Sequence, residues 1–212
     1  MRNLIILLIC VTALACKAQS PILPLYNDNS TGYPPNGHYL KDIDNNLDPF
    51  VGEWKWVIGS SSLTIQFVKV EMYHREYPNY SNTGTISRYY DALVGEYQYI
   101  ENGIEQINLL PIIYNNEYIY DFSIAGYIIT NNEKGIIPCV ECNQDIRVVQ
   151  LSFKEPQNPQ LLGKIYMTHF IENGIEKIRA RIFNIGIADL TAEYTGPRGL
   201  KVPEGIYTFI KQ

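Results

Sequence analysis

Cysteine, histidine and clustered carboxylates are the side chains best able to do chemistry, and this chain uses them sparingly. Cys139-Val140-Glu141-Cys142 is its one cysteine pair outside the N-terminal segment. In an exported protein the pair reads as a local disulfide, which closes so short a loop that it contributes only about 2 kcal/mol and stiffens a turn. A redox pair of this spacing needs a strand running into a helix, whereas Pro138 precedes this one and a strand pattern follows it. Structural zinc wants four ligands, and no second pair has suitable spacing. Asp42-Ile43-Asp44-Asn45-Asn46-Leu47-Asp48 sets oxygens at alternate positions with Glu53 at the twelfth, the rhythm of a calcium loop. Leu47 stands where that loop turns sharply on glycine, so the aspartates read as turn formers in a solvated loop. No metal site is assigned.

Nucleophilic catalysis needs a Ser or Cys, a base and an orienting group that converge. The base could come only from His38, His74 or His169. His38 lies in a proline-rich stretch, His74 reads as a loop residue, and His169 falls on an apolar strand face. There is no Gly-x-Ser-x-Gly phrase. The sequence therefore points to no catalytic residue and no cofactor.

The N-terminus carries more information about place than about activity. Arg2, an apolar run from Leu4 to Val11, and small residues at Ala13 and Ala15 have the form of a secretory signal too short to span a bilayer permanently. Ala13-Leu14-Ala15-Cys16 resembles the lipobox of bacterial lipoproteins, although that family favours Leu where this chain has Ala13. The resemblance implies that residues 1–15 are removed and that Cys16 is acylated. More than one chain, at about 0.8 kcal/mol per buried methylene, then anchors the protein stably to a membrane, expected to be the outer membrane of the cell envelope. Ordinary secretion, with cleavage after Ala15 or Ala18, is the alternative.

Residues 16–49 are rich in Pro, Asn and Asp and show no sustained period, so they read as a tether and lead-in. From Phe50 onward short β-branched and aromatic runs alternate with turn residues, and residues 50–212 read as a single all-β domain. Strands are expected at 51–58, 62–71, 88–100, 104–110, 118–130, 145–153, 162–171, 174–183 and 205–211, an antiparallel up-and-down meander of about nine strands closing as a barrel or strongly curved sheet. The phrase Ile-Glu-Asn-Gly-Ile-Glu occurs at Ile100–Glu105 and again at Ile171–Glu176. Asn-Gly between β runs is the signature of a type I′ turn, so each copy predicts a tight hairpin. Glycine phrases at Gly52, Gly95 and Gly163 suggest a recurring unit. Gly95 precedes its turn glycine by eight residues and Gly163 by eleven, so either one copy holds a bulge or one match is chance.

Alternation along the first strand puts Trp54 and Trp56 on the core side with Gly52 and Ile58. Counting back from Asn173-Gly174 sets Ile165, Met167 and His169 opposite Ile182, Ala180 and Ile178. The same count from Asn102-Gly103 sets Tyr97 and Tyr99 opposite Asn108 and Gln106, which suggests a polar-lined interior or a slipped register. Trp54, Trp56, Tyr97, Tyr99 and His169 are thus the candidate ligand-binding residues.

Phe50-Val51-Gly52-Glu53-Trp54 at the head of a meander resembles the Gly-x-Trp opening of lipocalins and fatty-acid-binding proteins, which implies a barrel holding a small apolar molecule. Tyr39-Leu40-Lys41-Asp42, Asn46 to Gly52 and the Val94-Gly95-Glu96-Tyr97 phrase resemble an uncharacterised family of small flavobacterial lipoproteins, which implies location and fold but no activity. A net charge of -5 without basic clusters argues against nucleic acid as a partner. Two non-enzymatic readings follow: a barrel that binds a small or apolar molecule, and a barrel filled by its own side chains that serves as a structural or protein-interaction module. A hydrolase with an unrecognised site is the third.

Overall fold

The computed structural model describes residues 21–26, 35–78, 84–132, 135–139, 146–188 and 196–212. It is all-β apart from two 3-10 turns, η1 at Asp48–Phe50 and η2 at Leu110–Ile112. Eleven strands form one sheet: β1 Ile22–Pro24, β2 Tyr39–Lys41, β3 Gly52–Ile58, β4 Ser61–Pro78, β5 Thr85–Glu101, β6 Ile104–Asn108, β7 Ile124–Asn131, β8 Arg147–Glu155, β9 Asn158–Glu172, β10 Ile175–Ile187 and β11 Gly205–Lys211. Each of the nine expected strands has its counterpart among β3 to β11.

From β3 to β11 the chain runs as an antiparallel meander, with β6 folded back on β5 as a side branch. The sheet curves into a ring because β11 pairs with β3 and β7 returns to β5. These seams are short, two residue pairs at β3–β11 and three at β5–β7, so the ring is not a regular barrel. The sheet is mixed, since β1 pairs parallel with β2 and β2 with β5. The stretch read as tether and lead-in thus lends two short strands to the sheet.

Both repeated phrases form hairpin tips, with Glu101 opposite Ile104 and Glu172 opposite Ile175. Asn102, Gly103, Asn173 and Gly174 all have φ between 49° and 81°, the double positive φ of a type I′ turn. The second hairpin keeps the expected register, with His169, Met167 and Ile165 facing Ile178, Ala180 and Ile182. In the first hairpin the register shifts beside the turn, so Tyr99 faces Ile107 and Gln98 faces Asn108. That bulge replaces the expected pairing of tyrosines with polar residues. It turns Tyr99 toward an apolar partner instead.

The glycine phrases are structurally equivalent, because one row across the sheet reads Gly52, Phe67, Gly95, Ile124, Phe153, Gly163. Each phenylalanine in the row faces glycine across at least one strand pair. A Cβ on Gly163 would stand 2.4 Å from the Phe153 carbonyl oxygen, and one on Gly95 would stand 2.7 Å from Phe67 Cδ1. Only glycine admits so close an approach.

Two expectations need correction. The second strand does not end near residue 71, and His74 is not in a loop. A bulge between Val70 and Tyr73 flips the side-chain parity, and β4 then continues to Pro78 with His74 opposite Tyr89. Met72, at φ 51°, donates its N–H to Asp91 Oδ1 at 3.0 Å, which satisfies the backbone freed at the bulge. The other correction concerns Tyr118 to Ser123, where the alternating Tyr118-Ile119-Tyr120 mimics a strand. These residues form turns instead, and Lys154 Nζ donates to the Tyr120 carbonyl while Glu96 accepts the Ser123 N–H.

Candidate functional site

The ring interior is where the sequence placed a ligand, and it is packed by the protein's own rings. Trp54, Phe67, Tyr97, Phe153 and Phe209 are all 0–1 % exposed. Trp54 and Tyr97 both flank Ile65 in one cross-strand row. The Trp54 indole N–H donates to the Phe50 carbonyl at 2.7 Å, so its one polar atom is satisfied inside the core. Tyr97 lies against Phe153 with ring centroids 4.8 Å apart, and its hydroxyl donates to the Lys154 carbonyl. Burial, then the Glu155 and Glu96 charges, push its phenol pKa up, so it stays a neutral donor. Tyr99 is also buried.

Trp56 keeps the expected facing and packs against the core, but less deeply than Trp54. It is half-buried and stands edge-on to Tyr207 at 4.9 Å, while Ile58, two residues further on, is exposed at the strand end. Tyr207 itself donates to the Pro203 carbonyl, and burial pushes its pKa up to about 12. The candidate residues therefore do not line one open chamber. Trp54, Tyr97 and Tyr99 belong to the core, Trp56 to its margin, and His169 to the mouth of the ring.

The His169 mouth is the best-formed polar site that the sequence reading reached. β9 delivers the imidazole edge-on to Trp54 at 6.0 Å and to Phe50 at 6.3 Å. Its Nε2–H donates toward Glu176 Oε2 at 3.3 Å, and Lys211 Nζ approaches the same oxygen at 2.7 Å. Burial holds the His169 pKa below its ordinary value despite the neighbouring carboxylate. The ring is then neutral at pH 7, with its lone pair on Nδ1. The Lys211 hydrogen bond keeps Glu176 below the usual carboxylate range. Outside the imidazole lies a cleft of about 220 Å³ lined by Asp44, Asn46, Pro49, Phe50, Arg147 and His169 among others. Arg147 reaches it with its guanidinium 3.9 Å from the Tyr26 ring centroid. These groups can hydrogen-bond a small polar molecule. None of the described lining residues is Ser, Thr or Cys.

The loop beside this mouth is organised by a lysine. Asp42 is buried and accepts the N–H groups of Asn46 at 2.8 Å and Leu47 at 2.9 Å. Lys69 Nζ lies 3.1 Å from Asp42 and 2.5 Å from Asp48, between the carboxylates a calcium ion would have used. The reading of a solvated turn loop thus underestimates Asp42. Among the described residues no three His, Cys, Asp or Glu side chains are grouped to hold a metal. His38 lies outside these clusters, Cys16 and Cys142 lie outside the described residues, and the proposed disulfide is left with its partner undescribed.

Sequence reasoning missed a second aromatic site, on the outer face of β4, β5 and β7. Tyr90 lies 4.2 Å from Tyr127 and 5.4 Å from Tyr73, and its hydroxyl shares a 3.0 Å hydrogen bond with Tyr120. Arg75 donates to the Tyr120 hydroxyl at 2.5 Å and lies over its ring. Tyr114 and Tyr118 belong to the same loop as Tyr120 and are exposed. The 17 tyrosines of the chain were the available signal, but no periodicity assigns them to an outer face.

No helix among the described residues is long and apolar enough to cross a membrane. No curated protein and no solved structure matches the chain. One family model does, along residues 1–212, and the chain accordingly belongs to DUF6705, a family of unknown function.

Proposed function

We propose that this protein is a non-catalytic envelope module, a β ring filled by its own side chains that presents its outer surface to a protein partner. The observation that carries the reading is the interior, where Trp54, Phe67, Tyr97, Phe153 and Phe209 take the space an apolar ligand would need. Apolar-ligand binding, the lipocalin-like reading, requires an interior that opens. The outer face supports the choice as well, since Tyr and Arg are enriched where proteins meet and Tyr73, Tyr90, Tyr120 and Arg75 form a contiguous cluster there. Calorimetric titration with oleate should give no saturable heat, and micromolar stoichiometric binding would overturn the filled-module reading.

Location belongs to the same proposal. An apolar run followed by Ala13-Leu14-Ala15-Cys16, together with the likeness to small flavobacterial lipoproteins, supports removal of residues 1–15 and a lipid anchor on Cys16 in the outer membrane. Oxidation of Cys139 with Cys142 fits an exported chain. Cys16→Ala should move the protein to the soluble fraction and abolish incorporation of labelled fatty acid. Unchanged membrane association would contradict the anchor.

A further inference from the structure

The end of the ring away from His169 holds a charge with an unfilled valence. Along β8 the inward positions read Val149, Leu151 and Phe153, all buried, and the next position of the same parity is Glu155. Its carboxylate is therefore drawn inside the end of the ring, and the residue is only 2 % exposed. One oxygen, Oε2, accepts the backbone N–H of Lys201 at 3.0 Å. The other, Oε1, is buried and has no hydrogen-bond partner among the described residues. An ionised carboxylate accepts and cannot donate, so this oxygen calls for a donor. Leaving it unmade costs more than an ordinary hydrogen bond contributes.

Glu155 lines a cleft of about 110 Å³ with Asn158, Leu161, Pro197, Gly199 and Lys201. The one cation among these lining residues does not fill the gap, because Lys201 Nζ donates to Gln157 instead. Asn158 is also engaged, its amide donating to the Pro197 carbonyl at 3.0 Å. The walls contributed by Leu161 and Pro197 are apolar. We propose that this cleft binds a small primary ammonium ion, whose N–H groups meet Glu155 Oε1 and whose short alkyl group lies against Leu161 and Pro197. A hard metal ion would need several oxygen ligands converging, and a water would supply the hydrogen bond without balancing the charge.

The test uses the full chain labelled with 15N and follows the amide signals of Lys201 and Gly199 during titration with methylammonium chloride. Potassium chloride and tetramethylammonium chloride at matched ionic strength serve as controls. Methylammonium should give saturable shifts, and the two controls, which cannot donate, should give only small linear drifts. Glu155→Gln keeps an acceptor for the Lys201 amide but removes the charge, and it should weaken methylammonium binding by about tenfold or more. Gly199→Leu blocks the cleft without touching the carboxylate, at a position where an added Cβ meets nothing within 4 Å, and it should weaken binding as strongly. That variant carries the test if Glu155→Gln fails to fold. Absence of saturation, equal saturation by either control, or affinity unchanged in both variants would overturn the site.

Discussion

Strand β5 divides two aromatic regions that obey different rules. On its inner side Tyr97 and Tyr99 join a core with Trp54, Phe67 and Phe153, where the rings are almost fully buried and the polar atoms of Trp54 and Tyr97 each donate to one backbone carbonyl. On its outer side Tyr90, Ala92 and Val94 join Ile113, Ile119 and Phe122 from the loop that follows β6. There the tyrosine hydroxyls bond to one another and to Arg75, and part of the aromatic surface stays open. The difference teaches that the interior rings are sealed by packing, whereas the outer cluster keeps its hydroxyls and part of its aromatic surface within reach of solvent. Burial of both faces also explains why Tyr90 to Tyr97 shows no clean alternation, since every residue of that run is buried.

The comparison breaks most readily at its inner side. Trp54→Ala should cost about 3–5 kcal/mol in chemical denaturation, the range for removing a large core ring and leaving a cavity. A loss below about 1 kcal/mol would mean that the interior is loosely filled. Gly163→Ala comes next, because its Cβ would press on the Phe153 carbonyl at 2.4 Å, and it should cost about 1–3 kcal/mol. An unchanged midpoint would show that the glycine row is not a close approach.

The smallest expected effect belongs to the outer side and depends on pH. Burial raises the Glu96 carboxyl above its ordinary pKa, although it accepts hydrogen bonds from Asn116 and the Ser123 N–H. A raised acid pKa contributes stability that is present below the unfolded-state pKa and is lost as pH rises through the folded one. Glu96→Gln should therefore be neutral or stabilising by about 1 kcal/mol or less at pH 7, with the advantage vanishing toward pH 4. A variant much less stable than wild type at pH 7 would show that the charge is wanted there.

Local chemistry was readable and cross-sheet chemistry was not. Asn-Gly placed both hairpin tips, and counting from Asn173-Gly174 set His169 opposite Ile178 correctly, because no bulge intervenes before Asn184. The same count failed for Tyr99, where one extra residue on β6 shifts the pairing. Met72 hid the rest of β4 in the same way, since its bulge depends on the Asp91 carboxylate from another strand. Lys69 lies 27 residues from Asp42, so nothing local announces that it balances the aspartates of the loop. Glu155 did leave a trace. It continues the inward parity of Val149, Leu151 and Phe153, and a charge at a core position is the pattern that marks a site.

The filled interior is tested most directly by the fluorescence of Trp54 alone, in Trp56→Phe protein with and without oleate. Trp54 is wholly buried with its N–H bonded to Phe50, so its emission should be blue-shifted, resist quenching by acrylamide, and stay unchanged as oleate is added. Red-shifted emission that acrylamide readily quenches, or a saturable change with oleate, would show an interior open to solvent or ligand and would contradict the account.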